Sequence, residues 1–181
     1  VSVVQSEPPV NKGYGNSTTI AFDVTDASTA KLVLLALAET VGTRLRETNV
    51  RAEVIAVGIK SSDFSYKRHQ MTLKNATNIT SEIHKYACRL FDELWDGVPI
   101  RHLGIHTSRI RDGVDMRQMD MFDDTDYAKL EQRDTAVDRI RRRYGIDSVK
   151  RAAFIGSPVD HMSGGISREK RSVDYTKIRV S

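Results

Sequence analysis

The sequence lacks the marks of a secreted, membrane-spanning or disordered protein. It contains a single cysteine, Cys88, which cannot form an internal disulfide, so we expect a reducing cytosol and a small buried thiol. No apolar run approaches the length that crosses a bilayer. Hydrophobic residues make up 39% and charged residues 29%, which argues against disorder, and 181 residues suit one domain with an appendage. The net charge of +4 is too small by itself to indicate nucleic-acid binding.

Hydrophobic periodicity predicts an alternation of strands and helices. β-Branched and apolar alternation indicates strands over residues 12–24, 51–60, 66–75 and 100–110. Helical spacing of apolar residues indicates helices from Thr25 or Asp26 to about residue 48, and from about residue 80 to 95. The order β-α-β-β-α-β predicts an α+β fold, a split βαβ arrangement whose four-stranded sheet carries both helices on one face. The other face of the sheet should be open.

Alternation along each strand sorts side chains between the two faces. Leu103 and Ile105 should face the helices, which turns their neighbours on the fourth strand outward. The outward set is polar and partly basic, with no aromatic residue on the central strands, so it suits phosphate oxygens better than stacked RNA bases. A merely solvated face is the alternative. The candidate contact residues are Lys12, Gly15, Asn16, Ser17, Thr19, Arg68, Gln70, Thr72, His102, His106 and Ser108.

A short segment downstream has the pattern of a linear peptide ligand. Residues 118–122 combine an amide, two flexible apolar side chains and an aromatic ring, which suits an extended peptide with apolar anchors. They are Gln118, Met119, Asp120, Met121 and Phe122. The alternative is a short strand or loop of the same domain. Beyond it, a helix is predicted over 127–144, and its basic end could simply favour the helix dipole or could bind DNA phosphate or an acidic partner.

Four stretches resemble the C-terminal little-finger domain of Y-family translesion DNA polymerases. They are KGYGNSTT at 12–19, RHQMTL at 68–73, LFDELW at 90–95 and PIRHLGI at 99–105, in matching order and spacing. The resemblance covers about residues 10–112. Residues 118–122 are similar to the bacterial sliding-clamp-binding motif that such polymerases carry after this domain, with methionine at both positions where leucine is preferred. Residues 138–153 resemble the segment that ends the UmuC-like, Gram-positive branch of the family. The choice between the DinB-like and UmuC-like subgroups stays open.

The resemblance implies three segments: a DNA-binding little-finger domain at 10–112, a linker with the clamp motif at 113–126 and a helical basic tail at 127–181. It implies a region of an error-prone DNA polymerase that bypasses DNA damage in the SOS response. Its partners would be primer-template duplex, the bacterial β sliding clamp and a catalytic core outside these residues. It implies a cytoplasmic bacterial protein that is nucleoid-associated when bound to DNA.

No catalytic residue and no metal ligand is expected in the sequence itself. The resemblance places Mg²⁺ in the catalytic core of the parent polymerase. His102 and His106 share a strand face, but two histidines without a third ligand make a poor zinc site. The alternative from another class is a stand-alone protein- or RNA-binding module of the same split βαβ topology.

Overall fold

The described residues form four long strands and three helices, in the order that the sequence predicts. The structure is a computed structural model that describes residues 12–113, 117–118 and 123–162. The elements are β1 Gly13–Val24, α1 Ala27–Glu47, β2 Val50–Ser61, β3 Tyr66–Thr77, α2 Thr80–Leu94, β4 Ile100–Asp112 and α3 Tyr127–Tyr144. Two short 3-10 helices follow, Ile146–Ser148 and Ala152–Phe154. Within the described part of the chain, no helix is both long and apolar enough to span a bilayer.

The sheet is antiparallel throughout, with the strand order β1-β4-β2-β3. Since β4 is antiparallel to both of its neighbours, β1 and β2 run parallel with β4 between them. By the same reasoning β3 and β4 run parallel on either side of β2. Each strand-helix-strand unit is therefore split by one inserted strand, which confirms the predicted α+β arrangement.

Local hydrogen bonds explain where the two sheet-packing helices begin. The Asp26 carboxylate accepts a hydrogen bond from the Thr29 amide at 2.8 Å, a standard N-cap for α1. Helix α2 has no side-chain cap of its own. Its first amide, that of Thr80, instead donates to the carboxylate of Asp134 on α3 at 2.8 Å. The start of α2 is thus completed by a helix that comes much later in the chain.

Both α1 and α2 pack on one face of the sheet and form a single core with it. Apolar residues from all layers are almost completely buried, because alternate strand residues point at the helices. They include Leu34, Leu37 and Val41 on α1, Ile83, Leu90 and Phe91 on α2, and Ile55, Val57, Ile59, Leu103 and Ile105 on the sheet. The opposite face of the sheet is left without a helix among the described residues.

Helix α3 attaches to α1 through ion pairs. The Arg46 guanidinium contacts Asp138 at 2.5 Å and Asp134 at 3.4 Å, with all three side chains at least nine-tenths buried. Arg141 on α3 and Arg151 after it both contact Glu39 of α1, at 3.3 Å and 2.8 Å. These two arginines neutralise a buried carboxylate, so they are not available as a free basic surface.

The segment after α3 adds to the same core. Phe154 and Val159 belong to the hydrophobic cluster that the helices and sheet form. Residues 127–162 therefore pack against the domain rather than trailing from it. The sequence-based boundaries at 112 and 126 stay predictions.

Candidate nucleic-acid interface

The strand register aligns the side chains that point away from α1 and α2 in four rows across the sheet. We call this set of residues the open face. From β1 across β4 and β2 to β3, the rows are Thr19, His102, Lys60, Tyr66; Ser17, Gly104, Gly58, Arg68; Gly15, His106, Ala56, Gln70; and Gly13, Ser108, Val54, Thr72. Nine of the eleven predicted contact residues lie on it. Hydroxyl, imidazole and cationic groups are thus spread over all four strands.

Two glycines let large side chains lie flat against the open face. A Cβ at Gly15 would come within 2.3 Å of the His106 ring, and one at Gly58 within 2.6 Å of the Tyr66 hydroxyl oxygen. Any larger residue at either position would push the neighbouring ring away from the sheet. The two glycines therefore keep the open face flat. A flat surface can contact a broad partner.

The charge of the open face is positive. Among the described residues, neither Lys60 nor Arg68 has a carboxylate partner at ion-pair distance. Burial and the nearby Lys60 lower the pKa of His102 below the ordinary value of 6.5. Burial, then Arg68 and His102, lower the pKa of His106 in the same way. Both imidazoles are therefore mainly neutral at pH 7, because burial first, and the nearby positive charges second, disfavour their protonated forms.

Two predicted contact residues do not lie on the open face. Asn16 is only 5% exposed and pairs in register with Ile105, so it points toward the helices. The expected outward position of Asn16 is wrong, because residues 13–19 of β1 alternate in regular register with β4 and the odd-numbered residues among them face outward. Lys12 precedes β1 and is exposed at its end.

Sequence reasoning missed Tyr66. Its ring is 58% exposed and covers Gly58 from the edge strand β3. The central strands β4 and β2 carry no aromatic ring of Phe, Tyr or Trp on this face, as expected. The position of Tyr66 could have been found from its two-residue spacing to Arg68, which gives the two side chains the same face.

Arg117 and Gln118 contact the domain at the start of the predicted clamp motif. Arg117 pairs with Glu82 on α2, and its guanidinium lies 3.5 Å from the centroid of the Tyr127 ring. The Gln118 amide donates to the Asn75 side-chain oxygen at 2.8 Å, and the Asn75 amide donates to the Gln118 carbonyl at 3.1 Å. Met119, Asp120, Met121 and Phe122 lie outside the described residues. The first residue of the motif is thus held at the end of β3.

Possible metal or nucleophile sites lie away from the open face. Asp147, Asp160 and His161 bring their ligand atoms within 4.8 Å of one another. Lys150 already contacts both carboxylates, at 3.2 Å and 3.9 Å, and offsets about half of their negative charge. Burial raises the pKa of the half-buried Cys88 thiol to about 11, so it is protonated and unreactive at neutral pH.

Comparison with known proteins decides the family. The family model described as the impB/mucB/samB family C-terminal domain matches residues 11–121. The chain belongs to this family. The resemblance to the little-finger domain of Y-family polymerases is thereby confirmed.

Curated relatives agree with this assignment, and a solved structure has a similar fold. The chain is 37% identical over 144 residues to DNA polymerase IV of Clostridium acetobutylicum, covering 80% of this chain and 36% of the relative. It is 33% identical over 146 residues to DNA polymerase IV of Acetivibrio thermocellus, covering 80% and 37%. The chain thus spans little more than a third of the length of these relatives. The fold is similar to that in the post-insertion binary complex of Dbh DNA polymerase, with a TM-score of 0.50, 20% identity and coverage of 59% and 32%.

Removal of the Arg68 charge should raise the pKa of His106. The cation disfavours the protonated imidazolium, so Arg68→Ala should move this pKa upward toward 6.5. The matched control is Lys67→Ala, since Lys67 contacts Asp96 and is not among the causes of the His106 shift. NMR titration of the imidazole resonances measures both. An unchanged His106 pKa in Arg68→Ala would contradict the positive field described for the open face.

Proposed function

We propose that the open face binds the phosphate backbones of duplex DNA, without reading sequence, as the non-catalytic little-finger region of a translesion DNA polymerase. The observation that carries this proposal is a sheet face on which, among the described residues, no helix packs and the cations Lys60 and Arg68 have no carboxylate partner at ion-pair distance. Phosphate contacts are made by cations, hydroxyls and backbone amides, and they carry no sequence information. The open face offers Lys60 and Arg68 among hydroxyl residues such as Thr19, Ser108 and Thr72.

The dimensions of the sheet favour contact along both edges of a groove. Four strands spaced by about 4.8 Å make a face about 14 Å wide between its outer strands. The major groove of DNA is about 12 Å wide and admits a helix or a two-stranded ribbon. The sheet is therefore too broad to enter the groove fully, and its outer strands would meet the two phosphate backbones. This geometry supports sequence-tolerant binding.

The chemistry of nucleotide transfer belongs to a part of the parent polymerase outside this chain. Its Mg²⁺ ions would be held there, because three acidic side chains near strand and helix ends of this chain already have other partners. Asp26 caps α1, Asp63 accepts hydrogen bonds from Ser65, and Asp23 pairs with Arg101. These carboxylates do not fit a two-metal site. The SOS response and a cytoplasmic, nucleoid-associated location stay predictions.

The position of Gln118 favours a second function, the tethering of the polymerase to a sliding clamp. Asn75 binds both the amide and the carbonyl of Gln118, so the first residue of the motif is held at a defined point of the domain. A ligand whose first residue is fixed loses less conformational freedom on binding. This supports residues 118–122 as the clamp-binding peptide.

The alternative of a stand-alone RNA- or protein-binding module has less support. An RNA-binding sheet of this kind stacks bases on aromatic residues of its central strands, which here carry small and polar side chains on the open face. Membership in the impB/mucB/samB family of C-terminal domains, with relatives named DNA polymerase IV, also favours the first proposal.

Arg68→Ala should weaken binding to all duplexes alike. Each phosphate contact contributes about −0.9 to the slope of log affinity against log salt, so its loss should make that slope shallower by about one unit. Fluorescence anisotropy with two duplexes of unrelated sequence, at several salt concentrations, measures both effects. The control is Arg89→Ala, since Arg89 is exposed on α2 and pairs with Glu93. A loss confined to one sequence, or an equal loss in Arg89→Ala, would contradict backbone contact by the open face.

Substitution of the apolar anchors should abolish most of the clamp affinity. Phe122→Ala should cost about 2 kcal/mol, or roughly thirtyfold, because a few buried anchors carry most of the energy of such an interface. Asp120→Ala is the control and should have little effect. Asn75→Ala should weaken binding less than Phe122→Ala, since it removes only the anchoring of Gln118. Calorimetry of the chain against the β clamp measures these values. Unchanged affinity of the double variant Met121→Ala, Phe122→Ala would refute tethering through this motif.

A further inference from the structure

The β2–β3 hairpin presents an exposed aromatic ring at one end of the open face. Phe64 is 69% exposed and has a φ of 67°, a left-handed conformation that is uncommon for a bulky residue. The turn is held by Asp63, whose carboxylate accepts hydrogen bonds from the amide and hydroxyl of Ser65 at 2.9 Å and 2.6 Å. A structured turn thus displays an apolar ring to solvent instead of burying it in the core.

A groove with cations around this ring lies beside the hairpin. It has a volume of about 530 Å³, within the range of pockets that hold small ligands. The residues that line it include Thr19, Lys60, Phe64, Tyr66, Arg101 and His102. Lys60 Nζ lies 5.4 Å and Arg101 Cζ 5.8 Å from the centroid of the Phe64 ring. None of the described residues that line the groove is acidic, although Arg101 also pairs with the exposed Asp23.

This combination has the chemistry of a nucleotide subsite. An aromatic face stacks a base of any sequence, while neighbouring cations hold the phosphate attached to it. Bases inside a duplex are already stacked on each other, so only an unpaired base could enter the groove. Thr19, His102, Lys60 and Tyr66 form the end row of the open face, so the groove continues the surface proposed for the duplex.

We propose that the groove between Phe64 and Tyr66 binds one unpaired nucleotide of a DNA strand, at the point where that strand leaves the duplex on the open face. The claim that the nucleotide belongs to a strand leaving the duplex rests on the proposed duplex binding. The stacking of a base on Phe64 depends only on the groove. Phe64 supplies the stacking surface, and Lys60 and Arg101 supply the charge for the phosphate.

The test compares three DNA probes with the full chain. The first is a blunt duplex, the second is the same duplex with a single-stranded overhang that carries 2-aminopurine at its first unpaired position, and the third is the overhang alone. Phe64→Ala should bind the overhang duplex about tenfold more weakly than the parent chain does, and it should not quench 2-aminopurine. Its affinity for the blunt duplex should be unchanged. Phe64→Tyr should restore overhang binding.

Tyr144→Ala is the matched control. Tyr144 ends α3, is 67% exposed and has Arg143 5.4 Å from its ring centroid, so it matches Phe64 in exposure and in its cation. It does not line the groove. Its replacement should change binding to none of the probes. Thermal unfolding of each variant separates lost binding from lost folding.

The remaining outcomes separate the two proposals. Equal affinity of the parent chain and Phe64→Ala for the overhang, with duplex binding intact, would overturn the subsite alone. An equal loss on the blunt duplex would also overturn it. Absence of duplex binding by the parent chain would refute the proposed function, whereas Phe64-dependent binding of the single strand would still support the subsite. Reduced self-association of Phe64→Ala with unchanged DNA binding would assign the groove to a second copy of the chain and overturn the nucleotide assignment.

Discussion

The one-sided covering of the sheet is the constraint on which the rest of the structure depends. α1 and α2 lie on the same face of the sheet. Apolar strand residues are removed from water only when they point toward these helices. A shift of one residue in register would move Ile55, Leu103 and Ile105 into solvent, at a cost of about 1.5 to 3 kcal/mol for each side chain. The same alternation fixes the outward positions of Arg68 and His106. The candidate DNA surface is therefore determined by the core behind it.

The C-terminal segment adds to the helix layer and so reinforces the difference between the covered and the open face of the sheet. α3 joins the helix layer through Arg46 with Asp138 and through Glu39 with Arg141. Burying such pairs removes charges from water, so they contribute more to a defined position of α3 than to net stability. Because these arginines face the helix layer, the positive charge of the open face does not depend on them. The same packing leaves the open face uncovered by α3.

Local sequence patterns predicted the helices and strands, but they did not predict the contacts between residues that are distant in the sequence. The spacing of apolar residues placed every helix and long strand within two residues of its observed bounds. Alternation assigned His102 and His106 correctly because Leu103 and Ile105 leave no doubt about the face of β4. Alternation placed Asn16 on the wrong face, because β1 has few strongly apolar residues that would show which of its side chains point toward the helices. The pairing of Glu39 with Arg141 joins residues 102 positions apart, and no local pattern indicates it.

Chemical-shift mapping of the chain during titration with a short duplex tests the central claim most directly. We expect the amide signals of all four strands to move at the open face, around Thr19, Arg68 and His106. Those of α3 and of the exposed side of α2 should stay in place. The central claim would be contradicted if the shifts clustered on the helix layer while the four strands remained unchanged.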